Sequence, residues 1–235
     1  MPKQDIKIRS AAGPDFDCYL VTPDLAPGGS QKVPAIVLAS AIHGVDHDLR
    51  ALVDIFATQG YIAAAPDLFW RTHPGALPRD DARLTPRGQP RSQVIKSGEQ
   101  DLVDLLPVLH QQPQFNGRAA VIGFCYGGPY AILGPARLGY AAGIACHGTQ
   151  MLDYIQELDG VDQPVCIIWG DQDHAAPAAV QEAYRVVPAR KPNVKVHLLP
   201  GVLHGYMMRG ATKAFDAKAY DFSMARAFAV LQGLR

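Results

Sequence analysis

Residues 118–133 read RAAVIGFCYGGPYAIL, and this stretch decides the fold. A short, nearly continuous apolar run (118–124) has the length and composition of a strand buried on both faces. It stops at Gly123-Phe124-Cys125-Tyr126-Gly127-Gly128, and a helix-like run (127–138) follows. A strand that turns straight into a helix must reverse within a few residues, which leaves the central residue in a strained conformation. Glycines two positions before and after it let the backbone pass closely. This is the setting of a G-x-nucleophile-x-G turn, with Cys125 at the apex. A helix N-terminus there favours a thiolate through its positive dipole end. Pro129 falls in the first helical turn, where a missing N–H is harmless.

Outward from this turn the same alternation continues in both directions. Strand-like runs occupy 33–40, 61–65, 140–146, 164–170 and 194–200. Helix-like stretches lie between and around them at 48–59, 97–111, 177–187 and 213–233. Strands alternating with helices predict a mostly parallel central sheet with helices on both faces. The N-terminal pieces IKIRS and FDCYLVT, separated by AAGPD, predict an antiparallel hairpin at one edge. No linker or repeat interrupts the pattern, so residues 1–235 read as one domain. One segment breaks the rhythm: residues 70–96 are rich in Pro, Gly and Arg and read as a long loop. Such a loop is either functional, as a cover over a site, or a solvated surface excursion.

Composition narrows the function classes. A hydrophobic fraction of 48% with 19% charged residues is that of an ordinary globular protein. The 22 Lys+Arg balance the 22 Asp+Glu, which argues against nucleic-acid or membrane-surface partners. No apolar run reaches membrane-spanning length, and MPKQDIKIRSAAG lacks the apolar core of a signal peptide, so a cytoplasmic location is expected. The four cysteines show no C-x-x-C spacing. Cys18, Cys146 and Cys166 read as small buried hydrophobes. No cofactor is expected, and the oligomeric state is not encoded in any pattern found.

Partners for Cys125 follow in chain order. The run PVCIIWG ends at Gly170 and leads into Asp171-Gln172-Asp173-His174, where a carboxylate could orient an imidazole. Asp171 suits a turn-shaping role. The last strand-like run is followed by Gly201-Val202-Leu203-His204-Gly205, a glycine-flanked loop suited to a general base. His197 lies within the strand pattern and reads as structural, whereas His147, just after the run 140–146, could line a cleft.

With these motifs in view, GFCYGG (123–128), GDQDHAAP (170–177), LPGVLHGY (199–206) and the segment 35–71 together resemble the dienelactone hydrolase family. The resemblance spans roughly residues 33–210 and implies an α/β-hydrolase fold. It also implies a Cys125–His204–Asp173 triad that hydrolyses a small ester or lactone through an acyl-enzyme. The family pattern selects Asp173 over Asp171. It implies an oxyanion hole made by the backbone N–H groups of Tyr126 and Ile42. The family carries a glutamate before that isoleucine, and here the position is Ala41. His43 follows Ile42 as a polar candidate for substrate contact. Arg209 falls one residue beyond the family's substrate-binding arginine. Two other readings compete. His43-x-x-x-His47, flanked by Asp46 and Asp48, has metal-ligand residue types for a metal-dependent hydrolase. Its plainer meaning is a polar loop whose Asp46 or Asp48 caps the next helix. The other is a noncatalytic α/β-hydrolase-fold protein that binds a small ligand.

Overall fold

The computed structural model describes residues 1–24 and 31–235. The chain forms two compact units, Met1–Ala119 with Arg235, and Ala120–Leu234.

In the first unit, β1 (Lys3–Ile8) and β2 (Phe16–Val21) form the expected antiparallel hairpin. β2 pairs antiparallel with β4 (Ile62–Pro66), which lies parallel to β3 (Val33–Ala39). Every residue of β3 and β4 is buried, as their continuous apolar runs require. α1 (His47–Thr58) packs on these strands through Leu49, Leu52, Val53 and Phe56. Its N-cap is Asp46, whose carboxylate accepts the Leu49 N–H at 3.0 Å. His47 is therefore the first helical residue while His43 lies outside the helix, so the two do not share a helical face as i, i+4 ligands would.

Residues 70–96 are more regular than their composition suggests. A short helix α2 (Leu84–Arg87) lies within them, and α3 (Arg91–His110) begins six residues before the expected 97. Pro90 stands at the N-cap of α3 with φ of −67°, and a polar first turn (Arg91, Ser92, Gln93) hides the helix from an apolar-periodicity reading. Tertiary bonds tie the start of this region to α3. Asp101 on α3, fully buried, accepts Arg71 at 2.7 Å and the Trp70 indole N–H at 3.2 Å.

Arg87, one of several arginines to which sequence patterns assign no role, is fully buried. Its guanidinium donates to the Ile42 carbonyl at 3.1 Å and to the Gly75 carbonyl, lies over the Phe69 ring, and sits 3.7 Å from the buried Asp67 carboxylate. Asp67 in turn accepts the backbone N–H groups of Gly75 (2.6 Å) and Phe69 (3.0 Å). Removing one charge of a buried pair strands the other, a loss of about 3–5 kcal/mol. Arg87→Met should accordingly lower the thermal midpoint by roughly 6–15 °C for a chain of this size. A differential-scanning measurement that finds no drop would show that the guanidinium carries no stability.

In the second unit, the part of β5 (Phe115–Phe124) from Ala120 onward pairs with β6 (Ala142–Cys146), β6 with β7 (Val165–Gln172) and β7 with β8 (Val194–Leu203), all parallel. The two faces of these strands have different covers. Ala145, Val165, Ile167 and Trp169 point into an apolar cluster with α4 (Tyr130–Arg137), the 3₁₀ stretch Met151–Gly160, α5 (Ala178–Arg185) and α6 (Val187–Arg190). The alternate residues lie on the opposite face, and α7 (Ala217–Gln232) packs on β6 and β7. Gly143 shares the α4 face, and a Cβ there would collide with the Ala131 carbonyl. The expected helices at 177–187 and 213–233 are shorter in the structure, because Pro188 opens the separate turn α6 and Asp216 caps α7 by accepting the Ala219 N–H at 2.9 Å. The 3₁₀ stretch 151–160 has no counterpart among the expected elements. No helix among the described residues is long and apolar enough to cross a membrane.

Candidate active site

β5 delivers Cys125 to the head of a single 3₁₀ turn, Cys125–Gly127, that runs into α4 through Pro129. Cys125 has φ of +50°, a left-handed conformation costly for a residue with a side chain. Close approach enforces it. A Cβ on Gly123 would strike the Gly127 carbonyl, and one on Gly128 would strike the Gly148 backbone. The Cys125 carbonyl accepts three donors: the N–H of Gly128 (3.0 Å), the N–H of Thr149 (2.9 Å) and the Thr149 hydroxyl (3.2 Å). The loop after β6 thus clamps the turn, and the Trp169 indole fixes that loop by donating to the Gly148 carbonyl at 2.9 Å. Nothing in the local sequence of Thr149 or Trp169 announces this task, because each acts on a residue about twenty positions away.

β7 and β8 bring the other two groups. His204 directly follows β8, and its Nδ1 lies 2.8 and 2.9 Å from the two carboxylate oxygens of Asp173. Asp173 is buried and also accepts the Ala175 N–H at 2.8 Å. Asp171 has a different partner, accepting the Gly201 N–H at 2.7 Å, and so ties the end of β7 to the last residues of β8, just before His204. Burial opposes a charge on the His204 ring. The hydrogen bond to Asp173, and a hydrogen bond and electrostatic contact with the Cys125 sulfur, outweigh it and push the imidazole up to about 10. Sulfur, imidazole and carboxylate therefore form a connected line.

Two further histidines flank this ring. His147 and His174 both stand 5.0 Å from His204, centroid to centroid. His174 is next to Asp173 in sequence, which is the available signal, while His147 reaches the site by following β6. The other residues singled out in the sequence have the following surroundings. The guanidinium of Arg209 stacks over Phe215 and Tyr220. His197 packs edge-on against Phe222 of α7. Tyr126 is buried immediately after Cys125. Ile42 and His43 belong to the first unit, and burial lowers the His43 imidazole from its ordinary value. Their share in the site is carried by the family resemblance alone. Among the described residues, no group of three or more His, Cys, Asp or Glu side chains has the spacing to hold a metal ion.

The four cysteines differ sharply in surroundings. All are free. Cys18, Cys146 and Cys166 are buried, and burial pushes their thiols up, that of Cys166 to about 12. Cys125 alone is partly exposed and in contact with an imidazolium. Brief iodoacetamide treatment of the native protein at neutral pH should add one carbamidomethyl group per chain, on Cys125. Peptide mass mapping checks this, and equal labelling of all four would contradict the site described.

Comparison with known proteins is consistent from end to end of the chain. The family model described as the dienelactone hydrolase family matches residues 16–234. A carboxymethylenebutenolidase of Pseudomonas putida is 28% identical over 222 residues, covering 93% of this chain and 92% of that protein. Among solved structures, a dienelactone hydrolase-like promiscuous phosphotriesterase from metagenomic libraries superposes with a TM-score of 0.80 at 20% identity, covering 99% and 98% of the two chains. An esterase of Pyrococcus furiosus superposes with a TM-score of 0.66 at 17% identity over 94% and 91%. The α/β-hydrolase fold follows from these likenesses together with the mostly parallel strands.

Proposed function

The chain belongs to the dienelactone hydrolase family, and from that premise we propose that it hydrolyses a small ester or lactone with Cys125 as nucleophile, His204 as acid–base and Asp173 as the residue that orients His204. The observation that carries this reading is the imidazole of His204 bonded through Nδ1 to Asp173 while its contacts include the Cys125 sulfur. The family membership carries the coarser statement that the protein is a hydrolase. The triad and the covalent route are proposed from the family resemblance together with the contacts of His204.

In the first half-reaction the Cys125 sulfur adds to the carbonyl carbon and the carbonyl oxygen takes up negative charge. The Tyr126 N–H, at the head of the turn, is the proposed donor to that oxygen, and the resemblance assigns a second donor to Ile42. Collapse expels the alkoxide, which takes the proton from His204 and leaves a thioester on Cys125. In a lactone the leaving oxygen stays tethered to the acyl chain. In the second half-reaction neutral His204 removes a proton from water, the hydroxide adds to the thioester carbon, and the thiolate leaves. No cofactor enters either step. The match of the family model across residues 16–234 supports reading the chain as one functional domain.

A panel of activated esters and five- and six-membered lactones, each run against Cys125→Ala as the blank, tests the reading. Mass spectrometry of acid-quenched reactions should show the intact chain heavier by one acyl group, absent from the variant. Turnover without any such adduct, and undiminished in the variant, would defeat it. The metal-dependent alternative predicts loss of activity in excess chelator, whereas full activity is expected here.

A further inference from the structure

His147 is the least economical residue in the second unit. It is 1% exposed, and neither ring nitrogen has a hydrogen-bond partner on any other residue. Its backbone has φ of +43°, the left-handed region in a residue that carries a side chain, although Gly148 stands next to it in the chain. Both features work against stability. The second has a local explanation, since the His147 N–H donates to the Ile168 carbonyl at 2.9 Å as the chain leaves β6. The first has none. A phenylalanine would fill the same space without burying two polar atoms, and the surroundings are aromatic already: Phe124 at 6.2 Å, Tyr206 at 5.3 Å and His204 at 5.0 Å between centroids.

The arrangement of the rings suggests what the nitrogens do. His147 meets both His204 and Tyr206 edge-to-face, at 76° in each case. Tyr206 cannot turn away to answer it, because its hydroxyl is hydrogen-bonded to Ser223 of α7 at 2.9 Å. His147 is thus wedged against the flank of His204, while Asp173 holds Nδ1 of that ring. The Asp173 bond at Nδ1 and the His147 contact together restrict the ring more than either does alone, with His174 a third neighbour at 5.0 Å. Resting on the reading of His204 as acid–base, we propose that His147 is a positioning residue: its ring sets the plane of His204, and its uncommitted nitrogens present an adjustable dipole to the charge that His204 gains and loses in each turnover.

The chemistry of an unpaired imidazole makes this possible. Neutral imidazole carries one N–H and one lone pair, and a hydrogen bond to either nitrogen normally dictates which is which. With no other residue bonded to either nitrogen, only the ring's contact with its own backbone biases which nitrogen holds the proton, so His147 can move the proton to the side that suits its neighbour. Beside an imidazolium the nearer nitrogen stays bare, and beside a neutral ring it need not. Burial and the positive charge of His204 both hold His147 neutral, so it stabilises the cation without competing for the proton. In so dry a place such a dipole acts at close range and without screening.

His147→Phe keeps the wedge and deletes the dipole, and His147→Gln restores a polar group without the ring. Steady-state kinetics on an activated ester should show kcat about tenfold lower in the Phe variant, with KM within about twofold of the wild type. Its rate of Cys125 alkylation should fall several-fold in parallel, and its thermal midpoint should hold or rise, since two dry polar atoms are gone. The Gln variant should regain part of kcat. A purely structural role predicts the opposite split, with stability altered and kcat and alkylation unchanged, and that result in the Phe variant overturns the proposal. Nitrogen-15 spectra of the wild-type protein give a readout that needs no variant. Alkylation of Cys125 changes the group in contact with His204, and the His147 ring nitrogens should shift in response; unmoved resonances overturn the proposal as well. Cys125→Ala separates the two levels of inference. An inactive Ala variant beside a fully active Phe variant removes only the role of His147, whereas an active Ala variant removes the underlying mechanism and this proposal with it.

Discussion

Cys125→Ala is expected to lower kcat on an activated ester by about ten-thousandfold or more, with the fold unchanged. The size of the effect follows from what the sulfur does in the proposed route. It forms the bond to carbon, and no neighbouring group stands ready to replace it: the side chain of Thr149 is already committed to the Cys125 carbonyl, and the other three cysteines are buried with their thiols pushed up. Alanine is also a mild structural change. The left-handed backbone at +50° is imposed by the packing of Gly123 on Gly127 and of Gly128 on Gly148, and alanine bears that strain no worse than cysteine does. The variant should melt near the wild type. Rates on a chromogenic ester, with the melting curve as control, give the answer; a loss of less than about tenfold would mean that another group attacks.

Asp173→Asn is the second large effect, expected at about a hundredfold to ten-thousandfold in kcat. Asp173 offers both oxygens to Nδ1 of His204 and one of them to the Ala175 N–H. An asparagine can give its single oxygen to Ala175 or to His204. If the oxygen stays with Ala175, the amide N–H₂ faces Nδ1 and forces the tautomer protonated on the other nitrogen, the one needed to receive the proton from sulfur. The charge goes as well. In the wild type, contacts with Asp173 and Cys125 overcome burial and hold His204 at about 10. Deleting a carboxylate that favours the cation lowers that value, so the variant ring should lose its proton at a lower pH. Histidine resonances followed against pH in both proteins test the sign directly. A His204 that titrates unchanged in the variant would show that Asp173 does not support its charge.

Both arguments rest on residues that the amino-acid sequence itself marks. Cys125 stands out because a strand, two flanking glycines and a helix leave few other meanings for the residue between them. Asp173 and His204 stand out because each follows a strand-like run, and parallel strands return their C-terminal ends to one edge of a sheet. The choice between Asp171 and Asp173 is harder. Both follow the same strand-like run within three residues of Gly170, and local chemistry gives either a role; only the family pattern prefers the second. In three dimensions the difference is plain, with Asp171 bonded to the Gly201 backbone and Asp173 to the imidazole. The start of α3 at 91 is hidden for a different reason, since a polar first turn held by Pro90 leaves no apolar period to detect.

The sequence by itself determined the alternation of the main strands and helices, Cys125 and His204, and Asp171 or Asp173 as the acid, because these depend on periodicity and on short-range turn chemistry that neighbouring positions spell out. Tertiary structure alone decided which groups surround them. Thr149 on the Cys125 carbonyl, the buried Arg87 with Asp67, and the His147 ring against His204 are contacts between residues far apart in the chain. Whether a histidine is a spectator in a core or a neighbour to a moving proton depends on what is packed around its ring, and no local pattern records that.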